Sequence, residues 1–180
     1  MNCPTVAGRA DLVADELALG PAEGITVVWD RAAVKAIAKE GVQEEATWRL
    51  EGELRPGFSA LRVISGATDD GALLLLCAAR PEGATHHDEE AVAALVVAPE
   101  GEPEEIEEAL VSTEYTADGS IRRLGLELYK ENDDYPVRAA GDATDTASTE
   151  GDGGRRDRAE LAFRLDGSAG AALYEVVHPA

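Results

Sequence analysis

The side chains whose types and spacing can do chemistry gather in three places. The first is His86-His87-Asp88-Glu89-Glu90, the one concentration of metal-capable groups in the sequence. Imidazole and carboxylate together suit zinc, iron or manganese. On a strand His86 and His87 would point to opposite faces. In a loop they can converge, and His86, His87 and Asp88 are then a candidate metal or acid–base site. The preferred, plainer reading is a solvated acidic turn with surface histidines. His178 joins the cluster only if the C-terminal strand runs beside it.

The second place is residues 110–129, LVSTEYTADGSIRRLGLELY. It reads as two strands folded across an Asp118-Gly119 turn. Ser112 and Glu114 share one face of the first strand, and Val111, Thr113 and Tyr115 share the other. If one face lines a cavity, the candidate ligand-binding set is Ser112, Glu114, Tyr115, Arg122 and Arg123. The competing reading makes them cross-strand neighbours, worth only about 0.2–1 kcal/mol a pair. Arg122 and Arg123 are adjacent, so one is expected to point inward. An inward arginine needs a carboxylate such as Glu127 or Glu114, as a structural tie or as part of an anion site. The tie is preferred.

The third place is Arg155, Arg156 and Arg158, the basic spot of the chain, beside Gly151-Asp152-Gly153-Gly154. Those glycines do not link a strand to a helix in the manner of a phosphate cradle. The spot reads as a counter-charge to an acidic surface. No nucleophile elbow, Walker loop, dinucleotide fingerprint, zinc ribbon or HExxH motif occurs, and no cofactor is expected.

The balance of charge excludes whole classes of partner. Across 180 residues, 36 acidic side chains face 16 basic ones, a formal charge of −20. Such a surface repels phosphate backbones and anionic lipid headgroups. Neither nucleic acid nor a membrane surface is expected as a partner. The apolar fraction is 44% but aromatics are 4%, so the core is aliphatic. Cys77 lies within LLLLCAA and reads as a small buried hydrophobe. Cys3 is terminal, and no spacing pattern pairs the two. The N-terminus, MNCPTVAGRADLV, lacks a basic stretch followed by an apolar one. The longest apolar runs, 72–79 and 91–98, are too short to cross a bilayer as helices. A soluble cytoplasmic protein is the expectation.

The elements that must position these groups are mainly strands. Residues 1–24 are poorly defined, with a first strand within 11–19 and a loop at 20–24. ITVVW at 25–29 is a short strand. Asp30 then caps a helix over 31–40, stopped by Gly41. From residue 45 the apolar period shifts from 3.6 to 2. Strands are expected near 48–54, 58–64, 72–79, 91–98, 110–116, 120–129, 136–140 (running on toward 146), 161–165 and 172–177. Turns are expected at Arg55-Pro56-Gly57, 66–71 and 131–134. Residues 80–90 read as a polar connection, 101–108 as a loop or helical turn, and 147–157 as a mobile loop. The continuous apolar run at 72–79 marks a central strand covered on both faces. The fold class is mainly β: one domain over 1–180, an antiparallel meander closing as a barrel or stacking as a curved sandwich, with one short helix.

Three segments, EYTADGSIRRLGLELY, PVRAAGDA and FRLDGSAGAALYEVV, carry a resemblance. Over about 107–177 the chain resembles one half of the lipocalin-like family that includes carotenoid 1,2-hydratases. The resemblance rests on hairpin grammar and covers under half of the sequence. It implies a barrel shape and an apolar ligand. That family joins two barrel-like halves, which 180 residues are too few to hold, and no catalytic residue carries over. The leading functional expectation is therefore a protein that binds a small apolar molecule, or an accessory protein. A self-associating homodimer comes next. A metal-assisted enzyme using His86, His87 and Asp88 comes third. Fold does not choose among them.

Overall fold

The structure, a computed structural model, describes residues 15–86, 89–131 and 133–180. His87 and Asp88 of the metal-capable cluster lie outside the described residues, as does Cys3.

Local sequence signals place the front of the chain. Strands β1 (Glu16–Ala22) and β2 (Ile25–Asp30) precede helix α1 (Arg31–Glu40), and β3 (Trp48–Gly52) follows it. The Asp30 side chain accepts a hydrogen bond from the Ala33 amide at 3.1 Å. Gly41, at φ 76°, donates its amide to the Ile37 carbonyl, so the helix starts and stops where expected. Removing the cap with Asp30→Ala is expected to lower stability by about 1 kcal/mol, read as a lower urea midpoint. The loop expected at 20–24 is shorter in the structure. β1 runs through Pro21 to Ala22, because it is an edge strand whose register shifts between Leu19 and Ala22, where a missing amide donor is tolerated.

The remaining strands are β4 (Phe58–Thr68), β5 (Leu73–Pro81), β6 (Ala91–Val97), β7 (Pro103–Ile106), β8 (Glu108–Tyr115), β9 (Ile121–Tyr129), β10 (Val137–Gly151), β11 (Gly154–Leu165) and β12 (Ser168–Pro179). They form one nine-stranded sheet in the order β7-β6-β5-β4-β12-β11-β10-β9-β8. Each neighbouring pair is antiparallel. The last strand returns to pair with β4, and β6 approaches β8, so the sheet is nearly closed into a barrel. The alternative of a sandwich is thereby settled.

Two cores lie on the two sides of this wall. Inside, Ile64, Leu76, Leu124, Leu126, Phe163 and Tyr174 belong to one cluster. Outside, β1–β3 and α1 cover the wall with Leu19, Val27, Trp29 and Val34, against Leu61, Val63, Leu75 and Cys77. This explains the unbroken apolar run of β5: Leu74, Leu76 and Ala78 face in, while Leu73, Leu75 and Cys77 face the covering layer. Cys77 is a free, buried thiol whose pKa burial pushes up, an inert packing group.

Several boundaries differ from expectation for identifiable reasons. Gly66 does not turn the chain. It sits within β4, where an added Cβ would meet the Phe163 ring at 2.8 Å, so packing, not turning, calls for glycine there. Residues 103–106 form edge strand β7 rather than a loop, with Pro103 at its first position. Residues 147–157 are not an irregular loop but the tip of the β10–β11 ribbon, paired from Ala147↔Arg158 to Gly151↔Gly154. Their low apolar content reflects exposure on both faces, since the backbone ladder needs no core. Among the described residues no helix is long and apolar enough to cross a membrane.

Candidate functional site at the barrel mouth

Strand period decides which side chains enter the barrel. On β4, Ala60 and Ile64 belong to the inner core, so Arg62 between them faces inward as well. On β12, Ala172, Tyr174 and Val176 face inward by the same parity, and His178 is next in line at the open end. Phe163 and its aliphatic neighbours fill the middle of the barrel. Space for a ligand opens at the mouth instead.

Just below that mouth lies a buried polar group. Arg62 is 7% exposed and Glu90 5%, and they form an ion pair through Arg62 Nη2. Arg62 Nη1 donates to the Tyr174 hydroxyl at 3.4 Å. That hydroxyl shares a 3.0 Å hydrogen bond with Thr113 Oγ1. Burial opposes the charge of Arg62, but Tyr174 and Glu90 outweigh it and hold the pKa above the ordinary arginine range. Among the described residues, Arg62 Nε is the one buried side-chain nitrogen or oxygen without a hydrogen-bond partner.

Above this group is a half-open cleft of about 530 Å3. Tyr115, Ile121, Ser148, Asp157, Val176 and His178 line it. Ile121 and Val176 also belong to the inner core, so the cleft floor is the top of that core. On its wall the Asp157 carboxylate accepts from Ser148 Oγ at 2.7 Å and faces His178 Nε2 at 3.3 Å and Arg155 Nε at 3.3 Å. Ser148 donates its hydroxyl hydrogen bond to the carboxylate, not to the imidazole. This is not the arrangement of an activated serine nucleophile, where the imidazole takes the hydroxyl proton. It is a wall of oriented hydrogen-bonding groups. Burial pushes the Tyr115 phenol above its ordinary pKa, Tyr174 pushes it the same way, and Arg62 pulls it back.

Of the ligand-binding residues expected from sequence, Tyr115 lines this cleft. Ser112 is exposed and bonds the Gly125 carbonyl at 3.5 Å. Glu114 is exposed and sits across from Arg123 in the β8–β9 ladder. The inward arginine expected at 122 or 123 is corrected. The ladder shifts between Glu114 and Tyr115, so Ile121 opposes Tyr115 and Arg123 opposes Glu114. The extra residue of this bulge leaves Arg122 and Arg123 both exposed. Arg123 approaches Asp142 at 3.8 Å, and Glu127 faces Arg138 at 3.7 Å.

In the acidic cluster, the exposed Glu89 carboxylate accepts the backbone amides of His86 at 2.9 Å and Thr85 at 2.6 Å. These donors hold its pKa below the usual carboxylate range. His86 is exposed. Among the described residues no group of three or more His, Cys, Asp or Glu is placed to hold a metal; His87 and Asp88 fall outside them. Glu90, the last member, turns inward to Arg62.

The interior residues that sequence reasoning missed left one signal. Arg62 is the lone charge in the apolar stretch ALRVIS, in phase with Ala60 and Ile64. Asp157 left none, since its meeting with His178 depends on the β11–β12 ladder.

No protein-family model matches the chain, and no curated protein does. Its fold is similar to the crystal structure of a candidate AttH protein from Nitrosomonas europaea, at 14% identity and a TM-score of 0.55, over 92% of this chain and 51% of that one. Kievitone hydratase from Nectria haematococca matches at 11% identity and a TM-score of 0.49, over 91% of this chain and 65% of that one. The chain thus spans about half the length of the first protein and under two thirds of the second. The first likeness and the strand topology define the class: a lipocalin-like, mainly β barrel with one short helix.

Proposed function

We propose that this chain binds a small molecule in the cleft at the mouth of its barrel. The observation that carries the reading is the cleft itself. Its volume of about 530 Å3 falls within the range of roughly 300–1,000 Å3 typical of ligand sites. Its floor offers Ile121 and Val176 to an apolar body, and its wall offers Tyr115, Ser148 and His178 as hydrogen-bonding partners. A few convergent polar groups over an apolar floor orient a ligand without a cofactor. The ligand is an apolar molecule with at least one polar substituent.

Isothermal titration with 2-acetylnaphthalene and 2-ethylnaphthalene tests this. At least one is expected to bind in the micromolar range. Thr146→Trp, exposed on the cleft wall and across the ladder from the inward-facing Ala159, is expected to weaken that binding at least tenfold by filling the space. Absence of binding by both compounds, or binding that Thr146→Trp leaves unchanged, removes the cleft as the site. Native mass spectrometry of the purified protein reports any copurified ligand directly.

A further inference from the structure

The buried group beneath the cleft has a donor to spare. A guanidinium carries five N–H donors. In Arg62 one Nη meets Glu90 and the other meets Tyr174, while Nε stays buried without an acceptor. An unmet buried donor is costly unless something completes it. Tyr115 belongs to both environments. It lines the cleft two residues beyond Thr113, whose hydroxyl meets Tyr174, and Arg62 lies directly across the β4–β12 ladder from Val176 on the cleft floor. The polar interior therefore reaches the cleft at Tyr115, beside core residues Ile121 and Val176.

Resting on the cleft as the binding site, we propose that Arg62 and Tyr115 recognise a neutral oxygen, a carbonyl or hydroxyl, on the ligand's head. Charge bookkeeping selects neutral over anionic. Glu90 already offsets the Arg62 charge. A carboxylate head would bring a second, unbalanced negative charge into a poorly solvated site. A neutral oxygen instead accepts from Arg62 Nε and from the Tyr115 hydroxyl with no net charge buried. The ligand class is thus an apolar ketone, aldehyde, alcohol or phenol, and acids are disfavoured. Arg62 also becomes a specificity residue, since a hydrocarbon of the same shape leaves its Nε unmet.

The test compares 2-acetylnaphthalene, 2-ethylnaphthalene and 2-naphthoate, matched in shape and different in head group, by isothermal titration. The ketone is expected to bind about tenfold tighter than the hydrocarbon, the value of one well-made hydrogen bond, and tighter than the acid. Tyr115→Phe and the paired substitution Arg62→Met with Glu90→Gln are each expected to reduce the ketone preference to about threefold or less. The hydrocarbon affinity is expected to stay within twofold. The pair removes both charges together, so no lone ion is left buried. If the pair fails to fold, Tyr115→Phe decides alone, because Tyr115 is 56% exposed. Equal affinity for ketone and hydrocarbon, tightest binding by the acid, or a preference that the variants keep overturns the inference and leaves the cleft standing. Binding by none of the three removes the cleft and this inference together.

Discussion

Glu90→Ala is expected to destabilise the fold by about 3–5 kcal/mol, the loss seen when one partner of a buried ion pair is removed. The reason is what it leaves behind. Arg62 is 7% exposed and would keep its charge inside the barrel, with the Tyr174 hydroxyl as the acceptor for Nη1. Arg62 cannot escape by losing its proton at neutral pH. Its pKa is raised in the fold, with Tyr174 and Glu90 outweighing the effect of burial. A raised folded pKa contributes stability that is fully present below the unfolded value and fades only as pH passes the folded one. For an arginine that window lies above any physiological pH, so the pair's contribution from this side is constant through neutrality. The matched substitution Arg62→Met with Glu90→Gln keeps similar volumes without the charges. It is expected to lose less than half as much as Glu90→Ala. Urea unfolding followed by tryptophan fluorescence measures both. A loss below about 1 kcal/mol for Glu90→Ala would show that water reaches the pair in solution.

The second large effect concerns the outer core. Trp29→Ala is expected to cost about 3–5 kcal/mol, as large-to-small changes of fully buried aromatics do. Trp29 is 0% exposed and packs between the three-stranded sheet and the outer face of the barrel. Its Nε1 donates to Ser65 Oγ at 3.0 Å, and Ser65 also meets Thr47 Oγ1 at 3.4 Å. Trp29→Phe keeps most of the apolar contact and loses the hydrogen bond, so a smaller loss of about 1–3 kcal/mol is expected. The two substitutions lie on the side of the wall away from the cleft. Affinity for a cleft ligand, measured where the variants remain folded, is expected to stay within twofold. Unfolding near the wild-type midpoint for Trp29→Ala would mean that the covering layer contributes little to holding the barrel.

Much of the architecture was legible in the residues because it rests on local rules. The helix over 31–40 announced both ends through Asp30 and Gly41, whose hydrogen bonds the structure shows. The apolar run at 72–79 declared a strand covered on both faces, and β5 divides its side chains between two cores. The Asp118-Gly119 turn joins the hairpin read from it, β8–β9. What misled were segments whose partners are distant. Residues 147–157 looked unstructured because they lack apolar side chains, yet the ribbon needs only its ladder. The pair Arg122-Arg123 looked like one inward and one outward side chain, because alternation assumes an unbroken register. A bulge set by the facing strand removed that assumption.

The candidate site divides along the same line. By itself the sequence determined a mainly β chain, an aliphatic interior, a −20 surface and the phase that puts Arg62 on one face with Ala60 and Ile64. Those depend on composition and on periods of two or 3.6 residues, which are properties of neighbours along the chain. The tertiary structure decided which of the expected polar residues share a space. It drew Tyr115 to the cleft, left Ser112, Glu114, Arg122 and Arg123 outside, and joined Arg62 to Glu90 and Asp157 to His178. Pairings of that kind follow from the return of β12 to β4 and from barrel curvature. They are set by the burial and backbone pairing of the whole sheet at once, and short-range patterns carry no record of them.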